Sequence, residues 1–160
     1  MPRRYATIQA AVDAARAGDT IKVAAGIYNE NVVISTAGLR LQASRGAVID
    51  GSGLTGTGIL VLGTAAQPVA DVEVSGFEVK DFQRGIVLQF TTGARINCND
   101  IHDNNKSPGP PTALDQATGI DLVTAHSSVV SDNSVHHNGA AGIQLRVGST
   151  DNVVQANKIF

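Results

Sequence analysis

The chain has 160 residues, enough for one domain, and its 12 basic and 14 acidic residues give a net charge of −2. Only 16% of the residues are charged, so we expect neither a nucleic-acid partner nor a membrane partner. No apolar run approaches the ~18 residues of a membrane-spanning helix. The single cysteine, Cys98, excludes an internal disulfide, and its place in a predicted strand predicts a small buried side chain.

The N-terminal residues predict one amphipathic helix. The first four residues lack the apolar core of a secretion signal, which indicates a mature or trimmed chain. Thr7 is a typical N-cap and Gly18 a typical C-terminal stop. Between them, one apolar stripe has helical spacing: Ile8, Ala11, Val12 and Ala15. We therefore predict a helix over 7–17, and we interpret it as a cap on the first turn of a β-structure that fills 20–160.

Short strands separated by turns follow this helix. Residues 19–23 and 31–34 read as strands, with a turn over 25–28 between them, and 39–42 and 47–49 continue the pattern less regularly. Glycines at 51, 53 and 56 have the spacing of a nucleotide-binding loop, but the next predicted element is a strand. Because that loop must open a helix, we interpret this segment as a turn.

A repeated pattern organises the rest of the chain. The sequence Gly-Ile-x-aliphatic begins at positions 58, 85, 119 and 142, so its copies are 27, 34 and 23 residues apart. The last three copies are followed by aliphatic-x-x-Asn-x-aliphatic, centred on Asn99, Asn133 and Asn157, and the first has Phe77 in the Asn position. Repeats of this length are typical of stacked supersecondary units.

The repeats are strands, and the segments between them are too short for a helical crossover. Like strands of successive repeats must then stack ~4.8 Å apart, which predicts a single all-β domain, a parallel β-helix. Two inward ladders follow from the register: Ile59, Ile86, Ile120 and Ile143, and Val61, Leu88, Leu122 and Leu145. We expect the three asparagines to bond to one another in a turn.

Two features depart from the regular repeat. The loop over 105–118 is the long insertion, and such insertions often border a binding site. The chain stops at Phe160 inside a repeat with no visible cap. We therefore expect the C-terminal end to be uncapped or truncated, and to self-associate.

The segments from Thr7 to Ile34 also resemble the N-terminal sequence of a known protein superfamily. Residues 7–15, 18–23 and 26–34, together with the later repeats, resemble the pectin-lyase-like superfamily over nearly the whole chain. The resemblance implies a single-stranded right-handed parallel β-helix, a polysaccharide partner, and an extracellular or cell-surface location. It implies a lyase-like or epimerase-like activity on an acidic polysaccharide, although one fold hosts many functions.

Polar side chains on the outward positions are the candidate site. We predict Asp121 and Arg146 as the acting residues, because adjacent coils bring them within reach of one sugar unit. A cation can stabilise the charge that develops next to a uronate carboxylate. The expected substrate-binding residues share the same groove: Gln144, His102, His136, Asp103, His137 and Lys106. We expect His102 to stack on His136 and Asp103 to pair with His137.

The strand at Gly119 also resembles a calcium-binding strand of one pectate-lyase family. Asp121 matches the last carboxylate of that strand, whereas Ala117 and Thr118 replace the two before it, and Asp115 is a candidate substitute. We predict no metal ligands, and calcium remains the candidate cofactor that the resemblance implies. Two alternatives to an enzyme are open: a non-catalytic carbohydrate-binding module and a purely structural one.

Overall fold

The computed structural model describes residues 5–105 and 117–160. These residues form one helix and 18 strands. The helix α1 spans Ile8–Asp13, and the strands are β1 Thr20–Val23, β2 Gly26–Tyr28, β3 Val32–Ile34, β4 Arg40–Ala43, β5 Ala47–Asp50, β6 Thr57–Leu62, β7 Val69–Ala70, β8 Glu73–Ser75, β9 Glu78–Lys80, β10 Arg84–Thr92, β11 Arg95–Asn97, β12 Asp100–His102, β13 Thr118–His126, β14 Val129–Ser131, β15 Ser134–His136, β16 Ala141–Leu145, β17 Val153–Gln155 and β18 Lys158–Ile159.

The strands form three parallel sheets, which the chain visits in rotation. The first sheet has the order β1-β4-β8-β11-β14-β17, the second β2-β5-β9-β12-β15-β18, and the third β3-β6-β10-β13-β16, with β7 beside the far end of β10. Each circuit of the three sheets is one coil. The predicted parallel β-helix is therefore confirmed, and the segment at 25–28, interpreted as a turn, contributes strand β2 instead.

The core is built from the predicted aliphatic ladders. In the third sheet, Ile86 lies between Ile59 and Ile120, and Ile120 lies beside Ile143. The side chains of Ile59, Ile86 and Ile120 are fully buried. In the second ladder, Leu88 and Leu122 are also fully buried, whereas Leu145 in the last coil is 47% exposed. The ladders are thus complete except at the C-terminal end.

Asparagine ladders line two corners of the later coils. Asn133 accepts from the backbone N–H and the side-chain amide of Asn99, and donates in turn to the Oδ1 of Asn157 at 2.9 Å. The amide of Asn133 also donates to the carbonyl of Ile96. This predicted ladder is confirmed. A second one, which we did not predict, joins Asn104 to Asn138 at the next corner by the same pair of bonds.

The repeated glycine is required by close approach between coils. A Cβ on Gly119 would lie 2.6 Å from the carbonyl oxygen of Gly142 and 2.6 Å from a methyl of Val135. Gly85 is in the same position against the carbonyl oxygen of Gly119, again at 2.6 Å. A side chain there would push the second and third sheets apart, so the repeat needs glycine for space.

Helix α1 covers the first coil but is shorter than predicted. The hydroxyl of Thr7 accepts from the N–H of Ala10, and the carboxylate of Glu30 accepts from the N–H groups of Ile8 and Gln9. The helix ends at Asp13 rather than at 17, because the N–H of Arg16 turns to the side chain of Asp19. Its apolar stripe is buried against β1 and β3.

Cys98 differs from the prediction of a buried side chain. It is exposed and lies in the turn after β11, with a φ of 57°. The equivalent position in the next two coils is held by Asp132 and Ala156, which also have positive φ. The turn directs this side chain away from the core, so its size and polarity are unconstrained.

Candidate functional site

The first group of predicted residues meets on the outer face of the third sheet. In register, Asp121 lies between Val87 and Gln144, as the repeat predicts. Asp121 and Val87 are nevertheless fully buried, although neither belongs to the interior core. The outer face of this sheet is therefore covered at these positions, and Asp121 is not the exposed strand residue that we expected.

The carboxylate of Asp121 is held by two arginines. The Nε of Arg146 donates to Oδ1 at 3.0 Å and its Nη2 to Oδ2 at 2.5 Å, which is a bidentate ion pair. On the other side, Nη1 of Arg84 lies 3.8 Å from Oδ2. We call Arg84, Asp121 and Arg146 the arginine–aspartate cluster.

This cluster combines a buried anion with two partly exposed cations. The side chain of Asp121 is 0% exposed, whereas those of Arg84 and Arg146 are 28% and 20% exposed. A buried carboxylate is tolerated only when charged partners compensate its lost hydration. The three groups together carry one excess positive charge, and the guanidinium groups are the part that solvent reaches. The cluster is therefore suited to an anionic ligand.

Arg84 was missed in the sequence. It comes directly before the repeated Gly85 and lies in register with Thr57 and Thr118, which are buried. Strand alternation counted back from the inward Ile86 places position 84 inward as well, so no signal in the sequence marks it as an outward position. We considered only the residues after the repeated isoleucine. Gln144 lies in the same sheet, and its Oε1 accepts from the hydroxyl of Thr118 at 3.4 Å.

The second group of predicted residues lies on the second sheet. His102 stacks on His136 with ring centroids 4.9 Å apart and nearly parallel planes, and His136 stacks on Phe160 at 4.9 Å. We call these three rings the histidine stack. The stacking of His102 on His136 is confirmed by the register of β12 and β15.

Carboxylates surround the histidine stack. Nδ1 of His102 lies 2.8 Å from Asp103, its Nε2 lies 3.4 Å from Glu78, and Nε2 of His136 lies 3.1 Å from Asp100. The predicted pairing of Asp103 with His137 is wrong, because Asp103 pairs with His102 instead. The hydrogen bond from His102 holds the pKa of Asp103 below its ordinary value, opposed by partial burial and aided by the neighbouring imidazoles.

The predicted groove therefore resolves into two clusters on adjoining sheets. Asp121, Arg146 and Gln144 come together on the third sheet, and four residues lie on the second sheet or at its corner: His102, His136, Asp103 and His137. His137 contacts His136 through their Nδ1 atoms at 2.7 Å. Lys106 lies outside the described residues.

The groups around Asp121 do not match the preference of calcium. Calcium takes six to eight oxygen ligands, whereas both oxygens of Asp121 face guanidinium groups. Asp115, the candidate additional ligand, lies outside the described residues. Within 5–105 and 117–160, no three His, Cys, Asp or Glu side chains converge as a metal site.

A cleft of about 130 Å³ lies between α1 and the first coil, at the other end of the β-helix from both clusters. Its walls are mostly apolar and include Ile8, Ile21 and Tyr28. It does not contain any of the predicted site residues. We therefore place the candidate site at the clusters, where charged groups converge, and not at this cleft.

Among the described residues, no helix is long and apolar enough to cross a membrane.

Comparisons with known proteins agree with this architecture. A crystal structure of an alginate lyase from Paenibacillus sp. str. FPU-7 superimposes with a TM-score of 0.57 at 17% identity. The match covers 94% of this chain and 62% of the lyase, so this chain spans less than two thirds of that protein. No protein with a curated description matches the sequence. The family described as "Right handed beta helix region" matches residues 22–160. The pectin-lyase-like fold is thereby confirmed, and the chain belongs to the right-handed β-helix family.

Proposed function

We propose that this protein binds an acidic polysaccharide and acts on it in the manner of a lyase or an epimerase. The observation that carries the proposal is the arginine–aspartate cluster, in which two guanidinium groups share one buried carboxylate. Similarity of fold to an alginate lyase supports a uronate polymer as the ligand class. Such a polymer is found outside cells, so the protein would work there or at the cell surface.

The cluster has the chemistry to receive a uronate carboxylate. Asp121 fixes the guanidinium plane of Arg146 through two bonds, so little side-chain freedom is lost when a ligand carboxylate binds. Arg84 approaches from the neighbouring coil and supplies the excess positive charge. In this arrangement Asp121 is a positioning residue, and Arg84 and Arg146 are the residues that touch the ligand.

The same contacts would assist proton removal from a uronate. A lyase and an epimerase both begin when a base takes up the proton next to the uronate carboxylate, which leaves negative charge on that carboxylate. The cluster would stabilise this charge and would not supply the base, because both oxygens of Asp121 are engaged by guanidinium groups. Guanidinium groups fixed at this position stabilise the developing charge without reorganising. In a lyase the electron pair then forms a double bond and expels the oxygen at C4, which takes up a proton from water, whereas in an epimerase a proton from water returns to the other face of the same carbon.

The test measures binding and chemistry separately. Alginate and polygalacturonate are titrated into the protein by calorimetry, with carboxyl-reduced polymers of the same backbone as neutral controls. We expect binding to the charged polymers only. Arg84→Gln and Arg146→Gln should each weaken it about 10-fold or more, as expected for a lost charge-assisted bond of roughly 1.5–3 kcal/mol.

Arg95→Gln is the matched control, because Arg95 is an exposed arginine of the first sheet. It makes the same change in net charge and should leave binding unchanged. Ultraviolet absorbance of unsaturated products reports a lyase, and uptake of deuterium from D₂O without absorbance reports an epimerase. Binding without either signal would leave a carbohydrate-binding module, and wild-type protein that binds no charged polymer would leave a structural one.

A further inference from the structure

The outer face of the third sheet changes in character along the axis of the β-helix. Val33, Leu60 and Val87 lie in register in three successive coils, and Asp121 takes the same position in the fourth. Val33 is 37% exposed, and Leu60 is partly exposed. Leu62 is also partly exposed and lies two residues along β6 from Leu60, so it faces the same side. We call Val33, Leu60 and Leu62 the aliphatic strip.

Gln89 lies next to the aliphatic strip on the same face. It is in register with Leu62 on one side and with Val123 on the other, and it is partly exposed. Among residues 5–105 and 117–160, no side chain or backbone group bonds to its side-chain amide. An amide offers two N–H donors and one carbonyl acceptor. A polar ligand group that lies over the strip can therefore bond to Gln89.

The aliphatic strip and Gln89 are continuous with the arginine–aspartate cluster. Arg84 reaches Asp121 at 3.8 Å, and Asp121 is in register with Val87, two residues before Gln89 on β10. Residues two apart on a strand are separated by ~6.6 Å, and adjacent coils by ~4.8 Å. The guanidinium groups, the free amide and the strip therefore follow one another along one face, at intervals comparable to the length of one sugar unit.

We propose that the aliphatic strip and Gln89 bind an O-acetyl group of the polysaccharide, next to the uronate carboxylate that the cluster receives. This inference rests on the proposed function and narrows its substrate class to an O-acetylated uronate polymer. The acetyl methyl packs on Leu60 and Leu62, and the acetyl carbonyl accepts from the amide of Gln89. A carboxylate over the strip would lose hydration without a charged partner, and a methyl group without a carbonyl would leave Gln89 unpaired.

Calorimetric titration with mannuronate-rich alginate, before and after chemical O-acetylation of the same chains, tests the proposal. We expect the acetylated polymer to bind about 5-fold more tightly, the scale for burial of one or two carbon groups. Leu60→Thr and Leu62→Thr should each reduce this preference and leave binding of the unacetylated polymer unchanged. Val129→Thr is the matched control, because Val129 is a partly exposed aliphatic residue on the outer face of the first sheet, and it should keep the preference.

Circular dichroism establishes which variants are folded, and Gln89→Met adds a variant that keeps the size of the side chain but removes the donor. It should lower the preference for the acetylated polymer at least 2-fold. Equal binding of the two polymers by the wild-type protein, weaker binding after acetylation, or a preference that persists in the folded leucine and Gln89 variants would overturn this inference and leave the proposed function in place. Wild-type protein that binds neither polymer would overturn the proposed function, and this inference with it.

Discussion

The guanidinium of Arg146 binds both carboxylate oxygens of Asp121, across 25 residues of sequence and one coil of the β-helix. Asp121 is completely buried although it points away from the core, and Arg146 is 20% exposed. On the outer face of the third sheet, the pair joins β13, which contains Asp121, to the residue that follows β16. The sequence suggests Asp121 as a reactive group, whereas in the structure its carboxylate holds the guanidinium of Arg146 in place.

Asp121→Asn should lower the free energy of unfolding by about 2–4 kcal/mol. Removing one member of a buried ion pair costs roughly 3–5 kcal/mol, and partial solvation of Arg146 reduces this. Urea denaturation measures the change. Asp132→Asn is the control, because Asp132 lies exposed in a turn with positive φ that asparagine also adopts. An equal loss in both variants would contradict the structural importance of the pair.

Ile120→Ala should destabilise the protein by about 2–5 kcal/mol, because it removes a fully buried side chain from the middle of a stacked ladder. Ile27→Ala, at an exposed position of β2, should cost less than about 0.5 kcal/mol. Both values come from the same denaturant titration. A small effect of Ile120→Ala would mean that the coils adapt to the cavity, contrary to a close-packed ladder.

Asn133, in the middle of the asparagine ladder, should contribute more to the stability of the protein than Asn157 at its end. Asn133 is 1% exposed, and its side chain joins Asn99, Ile96 and Asn157. Asn133→Ala leaves several buried groups without partners, at about 1–3 kcal/mol for each. Asn157→Ala interrupts the same ladder at its solvated end and should cost much less. Thermal unfolding of the two variants tests this order, and equal melting temperatures would refute it.

The stacked ladders could be predicted because they depend on spacing alone. Once Gly119 and Gly142 are aligned, the partners of Ile120 follow without further information. The burial of Asp121 could not be predicted in this way. Strand alternation says that a side chain points outward, but it does not say what lies above it, and Arg84 and Arg146 reach Asp121 from coils on either side.

The partner of Asp103 was predicted wrongly for a similar reason. When the repeats of this chain are aligned with one another, Asp103 lies beside His137 in the adjacent coil. Both residues have positive φ at the corner after the second sheet. At that corner, the side chain of Asp103 instead turns back along its own coil to Nδ1 of His102. Periodicity fixes which residues are neighbours between coils, whereas the turn geometry decides which neighbour a side chain contacts.

The pKa of Asp103 should depend on one ring nitrogen of the histidine stack. The hydrogen bond from His102 lowers this pKa in the folded protein, so the contribution of Asp103 to stability is present above the ordinary value of ~3.9 and is lost as pH falls through the lowered value. His102→Phe keeps a ring in the stack but removes the donor, and should return the pKa of Asp103 toward its ordinary value. His136→Phe, the control, keeps the hydrogen bond from His102 and should change the pKa much less. Carbon-detected NMR titration of the Asp103 carboxyl measures both variants, and equal shifts would show that the general charge of the histidines, and not the bond from His102, controls this carboxylate.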